Sequence, residues 1–167
     1  MALLEHREDG AAEIEDRFAI VGDEDALPTS GGVIVSLSRF ESEKDALVAR
    51  DGDLGVWLDS DESPSAIESD LGSLAVVACN FPAFSDGRAF SYARLLRERY
   101  GFKGEIRAIG EVMLEQVAFM IRSGFNTFTL QDLKTLDEVK AVCAEVRVVY
   151  QPTADGQATA LQRRLGR

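Results

Sequence analysis

The sequence has few of the residues that build metal, disulfide and cofactor sites. Its 167 residues include two cysteines, Cys79 and Cys143, and one histidine, His6. Two cysteines cannot form a disulfide framework, and one histidine leaves a histidine-rich zinc site without ligands. The chain also lacks a glycine-rich dinucleotide fingerprint, a Walker loop and a C-x-x-C pair. We therefore expect no metal site, and the motifs identify no cofactor.

Long apolar runs are missing as well. No stretch approaches the roughly 18 apolar residues of a membrane-spanning helix, and the start of the chain turns to charged residues too early for a signal peptide. Lys and Arg number 18 against 29 Asp and Glu, which gives a formal net charge of -11. A nucleic-acid or anionic-membrane binder normally has the opposite sign. We expect a cytoplasmic protein without a nucleic-acid or membrane partner.

The acidic residues are concentrated in the first half of the chain. Residues 1–73 carry 5 basic and 19 acidic side chains, whereas the remainder carries 13 basic and 10 acidic ones. Residues 1–32 end in the breaker-rich segment L-P-T-S-G-G and are expected to form an acidic, partly disordered leader with one short strand at residues 17–21. A single α/β domain is predicted for residues 33–150, followed by a polar C-terminal tail at residues 151–167.

Strand-like and helix-like segments alternate from Gly32 onward. The strand-like segments are short β-branched or apolar runs, located at residues 33–37, 55–58, 74–79, 105–109, 125–130 and 148–150. The helix-like segments have apolar residues three or four positions apart and lie at residues 42–50, 86–100, 111–122 and 135–146. Ser63 and Pro64 have the pattern of an N-cap and a first helical residue, and Gly124 marks a helix end.

Short connections between such alternating segments are typical of parallel strands joined by right-handed crossovers. The pattern therefore predicts an α/β fold with a mostly parallel sheet of five or six strands and flanking helices. An open three-layer sheet is the preferred architecture, and a partial βα barrel is the alternative. The chain is too short for a closed eight-stranded βα barrel.

The loops that follow the predicted strands are the first place to search for a binding site, because ligands of parallel α/β sheets collect at the carboxyl ends of strands. Residues 80–88, 110–111 and 129–132 are expected to share one such edge. The candidate anion-binding residues in this region are Ser85, Asp86, Gly87, Arg88, Arg107 and Glu111. Arg88 and Arg107 would hold the anion, Asp86 would cap the helix and orient the loop, and Glu111 would position an arginine.

Both arginines also have a structural interpretation. Arg88 can pair with a carboxylate such as Glu111. Arg107 lies in the middle of an apolar strand, where a charged group must be paired or reach an edge. Its candidate partners are the acidic residues Glu105, Glu111, Glu115 and Asp86.

The other reactive or charged groups favour structural roles. Cys79 ends a strand, where a nucleophile could lie, but His6 is distant in sequence, so an inert buried thiol is expected. Cys143 falls on an apolar helical stripe and is expected in the core. Arg97 is expected in solvent, whereas Arg94 lies near the apolar stripe of the same helix and could point inward.

Two dense motifs carry a family resemblance. One is F-P-x-F-x-D-G-R-A-F-S-x-A-R-x-L-R over residues 81–97, and the other is G-E-I-R-A-x-G-E-V over residues 104–112, followed by Gln116 and G-F-N at 124–126. Together they resemble the DUF934 family, from about Gly32 to Tyr150. The sequence has Glu111 and Asn126 where the family has aspartate.

The resemblance implies a role but no chemistry. Members of the family are often labelled probable oxidoreductases involved in sulfite reduction, since their genes lie beside those for assimilatory sulfite and phosphoadenylyl-sulfate reduction. The label supplies neither a catalytic residue nor a cofactor. We therefore expect an accessory protein of sulfate or sulfite assimilation that binds a small anion or a reductase partner at the carboxyl edge of the sheet.

Two alternative functions stay open. The chain could be an oxidoreductase whose cofactor leaves no trace in the sequence. It could also be a non-catalytic scaffold whose acidic first half docks onto a basic partner. The expected partner is sulfite reductase or another enzyme of sulfur assimilation. A homodimer is compatible with an open sheet, although no motif supports one.

Overall fold

A computed structural model describes residues 2–7, 10–130, 136–145 and 148–166 of the chain. Within these ranges the chain forms eight strands: β1 (Leu3–Arg7), β2 (Gly10–Ile14), β3 (Phe18–Ile20), β4 (Gly32–Ser36), β5 (Leu54–Leu58), β6 (Val76–Phe81), β7 (Glu105–Gly110) and β8 (Thr127–Thr129). The α-helices are α1 (Leu37–Val48), α2 (Arg88–Arg94), α3 (Val117–Ser123), α4 (Leu136–Glu145) and α5 (Ala160–Arg164). A 3-10 helix covers Pro64–Ser73, a π-helical turn at Leu95–Arg99 continues α2, and a 3-10 turn at Leu114–Gln116 leads into α3.

All eight strands belong to one mixed sheet with the order β2-β1-β8-β7-β6-β5-β4-β3. Neighbouring strands from β3 to β8 run parallel. Strand β1 pairs antiparallel with both β2 and β8. The strand direction therefore reverses between β8 and β1.

The sheet is strongly curled. Its edge strands β2 and β3 are joined only by residues 15–17. In a flat eight-stranded sheet these edges would lie about 33 Å apart, whereas the link from Ile14 to Phe18 spans at most about 14 Å. The two edges must therefore approach each other. Asp16 in the link contacts Arg107 of β7, so the edges curl toward the face on which Arg107 lies.

The two faces of the sheet have different cores. The larger cluster lies on the outer face, where helix residues such as Phe40 and Met120 pack against the strands. The inner face holds the smaller cluster of Phe18, Ile34, Val76 and Ala78, which includes no helix residue of the described ranges. The expected open three-layer sheet is therefore wrong, because the helices cover one face and the curl encloses the other. The fold is closer to the partial-barrel alternative.

The strand count also differs from the prediction of five or six. All five strands predicted between residues 33 and 130 are present as β4 to β8. Residues 1–32 add β1, β2 and β3, of which the sequence predicts only β3. Residues 148–150 form a single bridge between Val149 and Thr159 instead of a strand. The leader is thus part of the sheet.

The polar C-terminal segment packs in part against α3. Arg122 of α3 forms an ion pair with Asp155 at 3.3 Å and donates a hydrogen bond to the carbonyl of Gln151 at 2.8 Å. The backbone N–H of Ala160 donates to the carbonyl of Val149, at the start of α5. These contacts attach the tail to the outer face.

Local signals explain most helix ends. Helix α1 begins directly after β4 instead of at residue 42, because the Ser36 hydroxyl accepts the backbone N–H of Arg39 at 3.0 Å. Ser63 and Pro64 open the 3-10 helix as predicted, and Gly124 ends α3 with a φ of 115°. The predicted helix start at Thr135 lies outside the described residues. Among the helices of the described ranges, none has the length and apolarity to cross a membrane.

Arg97 occupies a structural position, contrary to the prediction that it lies in solvent. Its guanidinium donates to the carbonyls of Gly124 at 3.0 Å and of Phe102 and Gly104 at 2.8 Å. It also donates to the side-chain oxygen of Asn126 at 3.1 Å. Burial lowers the pKa of Arg97 below its ordinary value. The side chain thus fastens the segments that precede β7 and β8.

Candidate functional site

The loop after β6 joins two of the predicted site residues in an ion pair. The Arg88 guanidinium lies 2.7 Å from the Asp86 carboxylate, and the Arg88 backbone N–H donates to the same carboxylate at 3.2 Å. Asp86 therefore accepts a backbone N–H at the start of α2, while Gly87 occupies the N-cap position. The hydrogen bonds from Arg88 hold the pKa of Asp86 well below its usual range. Because the folded pKa is depressed, this contribution to stability is present above the ordinary carboxyl pKa and is lost in strong acid.

The same arginine links this loop to the loop after β5. Arg88 Nη2 donates to the hydroxyl of Ser60 at 2.7 Å, and the Tyr92 hydroxyl donates to the backbone carbonyl of Ser60 at 2.6 Å. The guanidinium is more than half exposed. Its charge is nevertheless balanced by Asp86, so an added anion would have to compete with that carboxylate.

Glu111 lies against the loop after β6 but does not hold an arginine. Its carboxylate accepts the backbone N–H of Phe84 at 3.3 Å, and Gln116 Nε2 donates to the carbonyl of Phe84 at 3.3 Å. Gly110 has a φ of 88°, and a side chain there would collide with the carbonyl of Phe81. No ion pair joins Glu111 to an arginine of the described residues. Ser85 is exposed at the tip of this loop.

Arg107 lies apart from Arg88, on the inner face of the curled sheet. Its side chain is 1% exposed and forms ion pairs of 2.8 Å with both Glu105 and Asp16. Glu105 also accepts the Thr127 hydroxyl at 2.7 Å. The structure thus groups Ser85, Asp86, Gly87 and Arg88 with Glu111, and separates Arg107 from them. Of the predicted third segment, Thr129 lines a cavity with Arg107, and residues 131 and 132 lie outside the described ranges.

An exposed aromatic patch, which sequence reasoning missed, lies beside the Glu111 loop. We call Phe84, Phe90, Met113 and Phe119 the aromatic patch. Phe84 is 55% exposed and Phe119 is 53% exposed. The Phe90 and Phe119 rings lie 4.9 Å apart, and Phe90 also packs at 5.2 Å on the buried ring of Phe81. Gln116 connects the backbones of Phe84 and Met113. Its side-chain amide donates to the carbonyl of Phe84 and accepts the N–H of Met113.

An acidic rim lies at the carboxyl ends of β4 and β5. We define it as the acidic residues Glu41, Asp59, Asp61 and Glu62. Burial raises the pKa of Glu62, and the nearby negative charges of Asp59, Asp61 and Glu41 raise it further. The hydrogen bond that Glu62 accepts from the Asp59 N–H acts in the opposite direction and offsets part of this rise. Asp59 also accepts a hydrogen bond of 2.7 Å from Asn80, at the end of β6. The rim and the aromatic patch thus lie along the same edge of the sheet.

His6 does not activate either cysteine as a nucleophile at the edge of the sheet. Cys79 is buried in the larger core, whereas the His6 imidazole bonds through Nδ1 to the carbonyl of Gly10 at 2.9 Å. Cys143 is half-buried and lines a cavity of about 300 Å³ with His6 and Arg122. Among the described residues, no group of three or more His, Cys, Asp or Glu side chains is arranged to hold a metal ion.

Cys79 is expected to resist alkylation while the protein is folded. Burial raises its pKa from 9.0 to about 12. The thiolate fraction at pH 8 is therefore about a thousandfold below that of an ordinary thiol, and burial blocks access as well. Mass spectrometry after treatment with iodoacetamide should find Cys79 unmodified in the folded protein and fully modified in urea. Modification of folded Cys79 at the rate of a free thiol would contradict this assignment.

The comparisons with known proteins identify a family and nothing more specific. A family model described as "Bacterial protein of unknown function (DUF934)" matches residues 55–161. Neither the curated proteins nor the solved structures include a match to this chain. The matched residues contain the Asp86–Arg88 pair, the aromatic patch and Arg107. Because the match covers more than half of the sequence, the protein belongs to the DUF934 family.

Proposed function

We propose that this protein is an accessory protein of assimilatory sulfate or sulfite reduction, and that it acts by docking onto one of the reductases. The main support for docking is the exposed aromatic patch, which lies with the acidic rim at the carboxyl edge of the sheet. The choice of pathway rests on the family resemblance. Docking at the aromatic patch and the identity of the reductase are tested by separate measurements, since each candidate reductase can be titrated on its own.

The aromatic patch has the composition and support of a binding anchor. Phe84 and Phe119 each leave more than half of their surface in solvent. Both have rigid support beneath them, since Phe119 packs on Phe90 and the backbone of Phe84 is held by Glu111 and Gln116. Aromatic residues are enriched among the few side chains that supply most of the binding energy of protein interfaces. Such a patch favours an apolar pocket on the partner.

The acidic rim favours a partner with a basic surface around that pocket. The first 73 residues hold 19 acidic and 5 basic side chains, and the rim belongs to this half of the chain. Opposite charge across an interface accelerates association and orients the partners. Exposed charge pairs are screened beyond about 10 Å at 0.1 M salt. Binding should therefore weaken as the salt concentration rises, and the aromatic contribution should persist.

The anion site at Ser85, Asp86, Gly87, Arg88, Arg107 and Glu111 stays a prediction. Its two arginines are separated in the fold, and each already has a carboxylate partner. An anion bound at Arg88 alone would have to compete with Asp86 for the charge of the guanidinium. The alternative of an oxidoreductase with a cofactor of its own stays a prediction as well, and no residue of the described site favours it over docking.

Phe119→Ser is the variant that tests the docking proposal. The wild-type protein is titrated into purified sulfite reductase, and separately into purified phosphoadenylyl-sulfate reductase, with the Kd measured by biolayer interferometry. One of the two should bind. Phe119→Ser should then raise the Kd at least about thirtyfold, because loss of an interface anchor costs about 2 kcal/mol or more.

Tyr150→Ser is the matched control, because Tyr150 is an exposed aromatic residue outside the patch. It should leave the Kd within about threefold of the wild-type value. Equal effects of the two substitutions would overturn the assignment of the patch. Failure of both reductases to bind at 50 mM salt would overturn the proposed pathway.

A further inference from the structure

A cavity on the outer side of the sheet is not used by the docking function. Its volume is about 300 Å³, and it lies between β1, α3, α4 and residues 155–157. Ala118 and Ile121 of α3 and Cys143 of α4 form its apolar wall. Its polar lining consists of His6, Arg122, Asp155 and Gln157. At about 30 Å³ per water molecule the space corresponds to about ten waters, which is enough for a small organic molecule.

The side chain of Gln157 supplies an unsatisfied acceptor at this cavity. Its Oε1 is buried and accepts no hydrogen bond within the described residues. A buried carbonyl oxygen without a donor is unfavourable, and such groups in folded proteins usually have a partner. Gln157 lines the cavity, and the last torsion of a glutamine side chain is soft, so a rotation turns Oε1 toward the space. A ligand N–H or O–H there would provide the missing donor.

His6 provides a second acceptor in the same cavity. Its Nδ1 lies 2.9 Å from the carbonyl oxygen of Gly10. Because a carbonyl oxygen only accepts, Nδ1 carries the proton of the imidazole. In the neutral ring Nε2 is then unprotonated and can accept a hydrogen bond. The two acceptors favour a ligand that offers two donors.

The charges in the described lining cancel. Arg122 and Asp155 form an ion pair at 3.3 Å. Asp155 also accepts the backbone N–H of Gln157 at 3.0 Å, which attaches the unsatisfied side chain to this pair. A charged ligand would lose its hydration without gaining a free counter-charge. The lining therefore favours a neutral ligand.

We propose that this cavity binds a small neutral carboxamide on an apolar body. A primary carboxamide is uncharged and offers two N–H donors from one nitrogen atom, which matches the acceptors of Gln157 and His6. The apolar body packs against Ile121 and Cys143, in keeping with ligand pockets that combine an apolar wall with a few polar groups. The proposal is independent of partner docking, since the cavity includes no residue of the aromatic patch.

The test is an NMR titration of the full-length protein with methyl-labelled alanine and isoleucine. The probes are benzamide, acetophenone and sodium benzoate at constant ionic strength and pH 8. Benzamide should shift the methyl groups of Ala118 and Ile121 and leave that of Ile34, on the inner face, unchanged. Acetophenone has nearly the shape of benzamide without its N–H donors, and benzoate is charged. Both should therefore bind at least about fivefold more weakly.

Two variants assign the binding to this cavity. Gln157→Leu should weaken benzamide at least about fivefold, as expected for loss of a hydrogen bond, and should not weaken acetophenone. Its melting temperature should not fall, because leucine removes the unsatisfied oxygen. Gln151→Leu is the matched control and should bind benzamide like the wild type. Gln151 is exposed, and only its backbone carbonyl contacts Arg122.

Three results would overturn the proposal. Benzamide could leave the methyl groups of Ala118 and Ile121 unshifted, which would show that the cavity does not take a carboxamide. Acetophenone could bind as tightly as benzamide, which would show that the donors contribute nothing. Gln157→Leu and Gln151→Leu could bind benzamide equally, which would separate the binding from Gln157 Oε1.

Discussion

Replacement of Arg107 by leucine should lower the free energy of unfolding by about 3–5 kcal/mol, as when one partner of a buried ion pair is removed. Glu105 is only 11% exposed, and its carboxylate would lose the guanidinium that neutralises it. Asp16 is 41% exposed and can return to water at small cost. The loss should therefore come mainly from Glu105. Urea denaturation followed by circular dichroism measures it.

A second substitution distinguishes the buried charge from simple loss of packing. Glu105→Leu in the Arg107→Leu background removes the unpaired carboxylate and should recover at least half of the lost stability, because apolar pairs often replace buried ion pairs without cost. Arg94→Leu is the exposed control. Arg94 pairs with Glu98 at 2.9 Å on the surface of the helix, and its loss should cost less than about 0.5 kcal/mol. A double variant no more stable than Arg107→Leu would contradict this account.

Arg97→Ala should also be strongly destabilising, by about 3 kcal/mol. The substitution removes the donor shared by the carbonyls of Phe102, Gly104 and Gly124 and by the side chain of Asn126. These acceptors would be left in a partly buried region, where unsatisfied polar groups are costly. The measurement is again urea denaturation of the purified variant.

Arg99→Ala is the control for this prediction. Arg99 is exposed two residues further along the same basic run, where it lies 5.9 Å from the ring of Tyr100. Its loss should change the free energy of unfolding by no more than about 0.5 kcal/mol. If Arg97→Ala were as mild as Arg99→Ala, Arg97 would be an ordinary surface residue and its hydrogen bonds would contribute little.

The sequence predicts the parallel part of the sheet well, because β4 to β8 are apolar runs bounded by clear breakers. It fails for β1 and β2. Those strands contain Glu5, Arg7, Gly10 and Glu13, and Ile14 is the one β-branched residue in the two segments. They form because the edge of β8 offers hydrogen-bond partners to β1, and β1 offers them to β2. The β1–β8 pairing joins residues more than 100 positions apart, which local pattern does not reveal, and the short β1–β2 hairpin depends on it.

In the candidate site, too, local features are predicted from the sequence and long-range contacts are not. The Asp86–Arg88 pair is local in sequence and is predicted as a helix cap. The partner of Arg107 is Asp16, 91 positions away, and only the curl of the sheet brings the two together. Arg97 belongs to a basic run that suggests solvent exposure, yet Gly124 gives its side chain space against the backbone. The signal for the aromatic patch is present in Phe84 and Phe119, but their exposure depends on tertiary packing.

The most direct test of docking at the carboxyl edge is hydrogen–deuterium exchange of this protein, alone and in complex with the reductase. We expect amides at residues 84–90 and 113–119 to exchange at least about tenfold more slowly in the complex. The loops at the opposite edge, residues 50–53 and 101–104, should be unchanged. Protection confined to that opposite edge, or no protection at the aromatic patch in a stable complex, would contradict the account.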